Sequence, residues 1–164
     1  AYLTKVEYWN YVEVNVFSAI ISHFSIDFLD YRLYHLLDVL KNQTEYHYTR
    51  ASEYYLSALR AGVKNYSIQG HYDKAEKLAQ KTLEVMNAFP ELSMKLTQFI
   101  ALSMERSCNF LRQNDVYGLE LAKHIFATLD HLEKTFQNQL LIRLREDFFS
   151  KVTQLNKTGQ PLEQ

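Results

Sequence analysis

The chain has 164 residues, 47% of them hydrophobic, enough for one domain with a sizeable core and too many for a disordered segment. A formal charge of −1 argues against nucleic acid as the main partner of this segment, and four glycines and two prolines are few for a β-sandwich or a phosphate-loop enzyme. The single cysteine, Cys108, rules out an internal disulfide and fits a reducing cytoplasm, and no apolar run approaches the roughly 18 residues of a membrane span.

Apolar residues recur at helical spacing almost throughout. The opening stretch, "AYLTKVEYW", lacks both an initiator Met and a signal-peptide pattern. It reads as the end of a helix, roughly Tyr2 to Tyr8, in a fragment whose N-terminal part is missing. A second helix is predicted from Tyr11 to Phe24. Ser25 can cap a third, through "IDFLDYRLYHLLDVLK", where Asp27 and Asp30 suit the first turn. "NQT" breaks it, and a long fourth helix runs from Glu45 to Gln69, with Gly70 at its C-terminal cap. The fifth spans Tyr72 to Ala88. Pro90 fits the first turn of a sixth that reaches Gln113. Asn114 or Asp115 caps a seventh, to Leu132, and the eighth covers Thr135 to Asn156. The tail, residues 157–164, has no periodicity and is expected to be flexible.

Two of these helices repeat one pattern. Ala75 corresponds to Gly118, Leu78 to Leu121, Ala79 to Ala122, Leu83 to Phe126 and Met86 to Leu129, each pair 43 residues apart. Short connections make consecutive helices antiparallel, so the chain reads as helix pairs, with the repeated stretches as the first members of successive pairs. The small residue then marks a close approach by a neighbouring helix. Pairs of this kind bury both faces only by stacking. The predicted fold is therefore all-α, a right-handed tetratricopeptide-like solenoid over residues 1–156, with a spacing longer than the tetratricopeptide period of about 34.

The second helices of the pairs carry polar residues on otherwise apolar faces. In the fourth helix Tyr55, Ala58, Leu59 and Gly62 form the core face, while Arg50, Tyr54, Ser57 and Lys64 share another. In the sixth, Phe99 belongs to an apolar stripe that Arg106 and Asn109 interrupt, and Arg143 stands on the eighth. Stacked pairs enclose a concave groove, and polar groups there suit an extended peptide, whose backbone needs partners when it leaves water. The expected groove residues are Arg50, Tyr54, Ser57, Phe99, Arg106, Asn109 and Arg143. The last helix has surplus apolar surface at Leu140, Leu144, Phe148 and Phe149, which suggests an isologous dimer interface or, alternatively, a helix folded back on the preceding pair.

Catalytic and metal chemistry find little support. His124 and His131 share a helix face with Asp130 nearby, but ligand spacings are missing, and exposed helix histidines are the simpler account. Cys108 sits in an apolar stripe and reads as a buried inert thiol. No nucleophile-elbow, Walker or dinucleotide pattern appears, so neither a cofactor nor an enzyme is expected. Trp9 reads as packing for the first helix pair or as a contact to a preceding domain.

"VEYWNYVEVNVF" resembles the Trp-x-x-x-Glu-Leu-x-Leu-Phe stretch of the Rgg/GadR/MutR family of Gram-positive transcriptional regulators. Trp9, Glu13, Val14, Val16 and Phe17 carry the match, with Val in place of both Leu. "NDVYGLELAKHIFATLDHLEK" resembles the family's later signature through Asp115, Gly118, Ala122, Ile125, Phe126 and Leu129. The resemblance implies a helical repeat domain that forms a homodimer and binds a short signalling peptide on its concave face. It also implies DNA binding only through an N-terminal helix-turn-helix domain absent from this chain. A constitutive helical-repeat adaptor for a folded protein partner is the alternative reading.

Overall fold

The computed structural model describes residues 11–42, 50–89, 96–157, 159–160 and 162, with the backbone alone at Arg50 and Ala51. Among them are seven α-helices, one 3-10 turn and no strand. The helices are α1 (Tyr11–Ile20), α2 (Ile26–Asn42), α3 (Arg50–Ile68), α4 (Tyr72–Ala88), α5 (Leu96–Arg112), α6 (Tyr117–Phe136) and α7 (Gln139–Leu155). None of them is long and apolar enough to cross a membrane. The chain divides into two compact units, residues 1–99 and 100–164.

In the first unit α3 is the central helix and packs on α1, α2 and α4. Leu33 meets Gly62 and Asp30 meets Tyr66, so paired positions run in opposite directions and α2 and α3 are antiparallel. Asp30 also meets Lys74, and Tyr34 meets Lys81, so α2 and α4 run parallel on the same side of α3. Phe17, Leu29, Leu33, Leu36, Tyr55, Leu59, Tyr66, Leu78 and Met86 are among the buried core. Gly62 is small because the Leu33 side chain lies over it, 2.6 Å from where a Cβ would stand.

The helix ends explain the boundaries. The predicted helix from Tyr11 to Phe24 is shorter than expected: α1 stops at Ile20 and tightens into a 3-10 turn over Ile21–His23. Phe24 is then extended, and the Ser25 hydroxyl accepts from Phe28 N at 3.3 Å, the expected cap of α2. Gly70, at φ +82°, closes α3: its N–H donates to Ser67 O, and His71 N–H to Tyr66 O. The same motif closes α5 with Asn114 at φ +58°, where Asn114 N–H donates to Leu111 O and Asp115 N–H to Phe110 O. Asp115 Oδ1 then accepts from Tyr117 N at 2.9 Å and opens α6. The two candidates for one cap thus divide the work. The starts expected at Glu45 and Pro90, the opening segment Tyr2 to Tyr8, and Trp9 fall outside the described residues.

The second unit is built from α5, α6 and α7. Ile100, Met104, Cys108, Leu111, Leu119, Ala122, Phe126, Leu129, Phe148 and Val152 belong to one buried cluster. Its α6–α7 boundary differs from the prediction. α6 continues past Leu132 to Phe136, Gln137 turns left-handed at φ +47°, and Asn138 Oδ1 caps α7 by accepting from Leu140 N at 2.8 Å. Thr135 therefore lies inside α6, and α7 opens at Gln139. Asp130 pairs with Arg145, whose guanidinium also lies 5.4 Å over the Phe126 ring. Lys151 reaches Glu105 at 3.5 Å. Beyond α7, Asn156 Nδ2 donates to Gln160 O at 2.8 Å and Leu162 packs on the same cluster.

Candidate functional site

A cleft of about 350 Å³ opens on the first unit, lined by Tyr11, Val14, Asn15, Glu53, Tyr54, Ser57, Thr97 and Gln98. Its walls come from every second helix, α1, α3 and the first turn of α5. Helical spacing sets the lining. Tyr11, Val14 and Asn15 follow one flank of α1, while Val14 and Phe17 anchor that helix in the core. On α3, Glu53, Tyr54 and Ser57 stand beside the core face of Tyr55, Ala58 and Leu59. The Tyr11 and Tyr54 rings join α1 to α3, with centroids 5.8 Å apart and planes tilted by 58°. Gln98 Nε2 donates to Ser57 Oγ at 3.5 Å, and Gln98 Oε1 is shielded from solvent without a hydrogen-bond partner. An amide left half-satisfied in a cleft is a group that a ligand can complete.

Of the residues expected to form a groove, the structure brings Tyr54 and Ser57 together here. The Arg50 side chain lies outside the described residues. Phe99 is half-buried and is not among the lining residues. Arg106 belongs to the second unit and turns its guanidinium 6.0 Å over the Phe110 ring. Asn109 also lies in the second unit, where it is fully buried and its Oδ1 accepts from Arg112 Nη1 at 3.0 Å. Arg143 is exposed on α7. Tyr11, Asn15, Glu53, Thr97 and Gln98 were not expected. The four-residue spacing of Tyr11 and Asn15, beside the buried Val14, was the signal on α1. Nothing comparable marks Thr97 and Gln98, which depend on where α5 meets α3.

The expected dimer surface divides in two. Phe148 is buried, its ring 5.0 Å from Phe126, and Leu144 packs on the same cluster. That half of the apolar surplus is covered by the chain itself, as a helix folded back on its pair would do. Leu140 and Phe149 remain exposed, Leu140 at 63%.

A second cleft, about 480 Å³, lies between α2 and α4, with Leu37, Val85 and Phe89 among its apolar walls and Lys41, Asp38, Lys81 and Glu84 among its charges. Lys81 is drawn over the Tyr34 ring, 5.2 Å from its centroid. Deeper in the same unit, Asp30 accepts from Tyr66 Oη at 2.5 Å and pairs with Lys74. Burial alone would raise the Asp30 carboxyl, but these two hydrogen bonds and the lysine charge outweigh it and hold the group below the usual carboxylate range. Burial, then the bond to Asp30, pushes the Tyr66 hydroxyl well up. The result is a fixed tie among α2, α3 and α4.

Burial pushes the Cys108 thiol up to about 11, which leaves it protonated and a poor nucleophile. His124 and His131 are exposed, and Asp130 between them is held by Arg145. Among the described residues no three His, Cys, Asp or Glu side chains gather as a metal site. Comparison with protein-family models, with curated proteins and with solved structures finds no match to this chain.

Proposed function

We propose that the chain is the ligand-sensing and dimerisation part of a bacterial transcriptional regulator, working in the cytoplasm and binding a short peptide. The observation that supports this most is the cleft on alternate helices α1, α3 and α5, which unites the expected groove residues Tyr54 and Ser57. In this reading the helix pairs continue as a right-handed solenoid, and the cleft is one stretch of its peptide-binding face. Leu140 and Phe149 supply the contact between two copies. DNA is reached through a helix-turn-helix domain outside this chain, as the resemblance to the Rgg/GadR/MutR regulators implies. Peptide binding shifts the balance between two dimer arrangements, which requires different affinity for each.

Thermal unfolding of the chain against short apolar peptides encoded beside its gene tests the reading. Binding to the folded state alone raises the midpoint by roughly 5–10 °C at a hundredfold excess over Kd. The rise shrinks in Tyr54→Ala and Ser57→Ala. A flat response to every peptide removes the sensor reading.

A further inference from the structure

The chain returns to its own unit after the last helix. Asn156 leaves α7 in an extended conformation, and its Nδ2 donates to Gln160 O at 2.8 Å. Gly159 stands at φ +72°, a conformation that glycine adopts at little cost. Leu162 follows, half-buried against the cluster that holds Phe148 and Val152. A side-chain clasp, a left-handed glycine and an apolar anchor thus succeed one another between Asn156 and Leu162. One half-buried leucine has to offset the ordering of the residues that carry it, and the two terms are of similar size. A contact so balanced opens readily.

The cluster under Leu162 also carries the apolar surplus of α7. Leu144 packs on it, and the exposed Phe149 borders it, its ring 5.8 Å from that of Phe126. We infer that the C-terminal tail is a releasable strap over the edge of this cluster, and that it competes with a second copy for the apolar surface of α7. The inference rests on the reading of α7 as the contact between copies. With the strap seated, Leu162 covers part of that surface. With the strap released, the uncovered part joins Leu140 and Phe149, and self-association strengthens.

The test is sedimentation velocity of the whole chain over a concentration series, with native labelling of Cys108, a member of the same cluster, as the readout of strap seating. Leu162→Ser removes the anchor and adds no apolar surface of its own. It should tighten the dimer Kd about threefold to tenfold and quicken the labelling by a similar factor. Gly159→Ala keeps the anchor but strains the left-handed turn, and it should move both readouts the same way by less. If neither variant changes either readout, there is no strap. Quicker labelling with unchanged or weaker association overturns the competition and leaves the tail as packing. Leu140→Asp added to Leu162→Ser should restore the monomer while labelling stays quick. A dimer that survives this double change means that α7 is not the contact, and the dimer reading falls with the inference.

Discussion

α4 and α6 follow one sequence pattern in two settings. Ala75, Ala79, Leu83 and Met86 are buried on α4, and Gly118, Ala122, Phe126 and Leu129 are buried at the corresponding places on α6, while Leu121 is only partly covered where Leu78 is fully buried. The small residue has a different meaning in each. A Cβ at Gly118 would stand 2.7 Å from Ser107 O and 2.8 Å from Leu111 N, both backbone atoms of α5. The Ser107 hydroxyl also donates to Gly118 O at 2.7 Å. α4 accommodates the methyl group of Ala75. The repeat thus preserves the buried stripe and lets the distance of closest approach vary.

The sharpest break of that comparison is an exchange of the two small residues. Gly118→Ala forces backbone apart and should cost about 2–4 kcal/mol, even after its gain in helix propensity. Ala75→Gly should cost about 1–2 kcal/mol, from a lost buried methyl and a looser helix. Denaturant midpoints measure both, and a milder Gly118→Ala would mean that the approach of α5 is not what keeps glycine there.

The two polar ties that Asp30 makes within the first unit differ in depth. Asp30→Ala leaves the buried Tyr66 hydroxyl without its acceptor and should cost about 2 kcal/mol. Lys74→Met, at a partly exposed lysine, should cost under about 1 kcal/mol. Because the folded Asp30 carboxyl is depressed, its contribution is complete above the ordinary carboxylate value. It drains away as pH falls from there through the folded value. Melting curves from about pH 6 to about pH 2 should therefore decline less steeply in Asp30→Asn than in the parent chain.

The helix-closing motifs offer a smaller contrast. The first unit places Gly70 at the left-handed position and the second places Asn114 there. Asn114→Ala should lose about 1 kcal/mol, whereas Asn114→Gly should be neutral or slightly stabilising. Thermal melts of the pair separate backbone strain from any side-chain role for Asn114. The smallest expected effect is at Cys108. Native thiol labelling should be close to nil, since the group is buried and protonated. As the sole cysteine, it reports opening of the second unit, and its labelling should quicken in Gly118→Ala while Asp30→Ala leaves it unchanged.

Much of the local structure was legible. Core stripes at helical spacing located α2, α3, α4 and α6, and Ser25, Gly70 and Asp115 marked ends because each satisfies backbone groups that a helix leaves open. The α6–α7 turn was not legible. Gln137 has no intrinsic reason to turn left-handed, and Thr135, the predicted start of the last helix, lies inside α6. The candidate site was half visible: Tyr54 and Ser57 followed from the face beside the core of α3. Its other walls come from α1 and α5, which no spacing along α3 can reveal. The bond between Asn109 and Arg112 was not legible either, because a polar residue on an apolar helix can face a ligand or a neighbour on its own helix equally well in one dimension.

The sequence by itself determined that this chain is helical, which face of each helix is apolar, and which small residues admit a neighbour, because these depend on the period of the helix and the size of a side chain. The tertiary structure decided which neighbour arrives and how closely. It set Phe148 against Phe126, turned Arg145 to Asp130, and gathered Tyr11, Glu53, Tyr54 and Gln98 around one cleft. Those contacts join positions far apart in the chain, and their geometry follows from how helices pack rather than from any local pattern of residues.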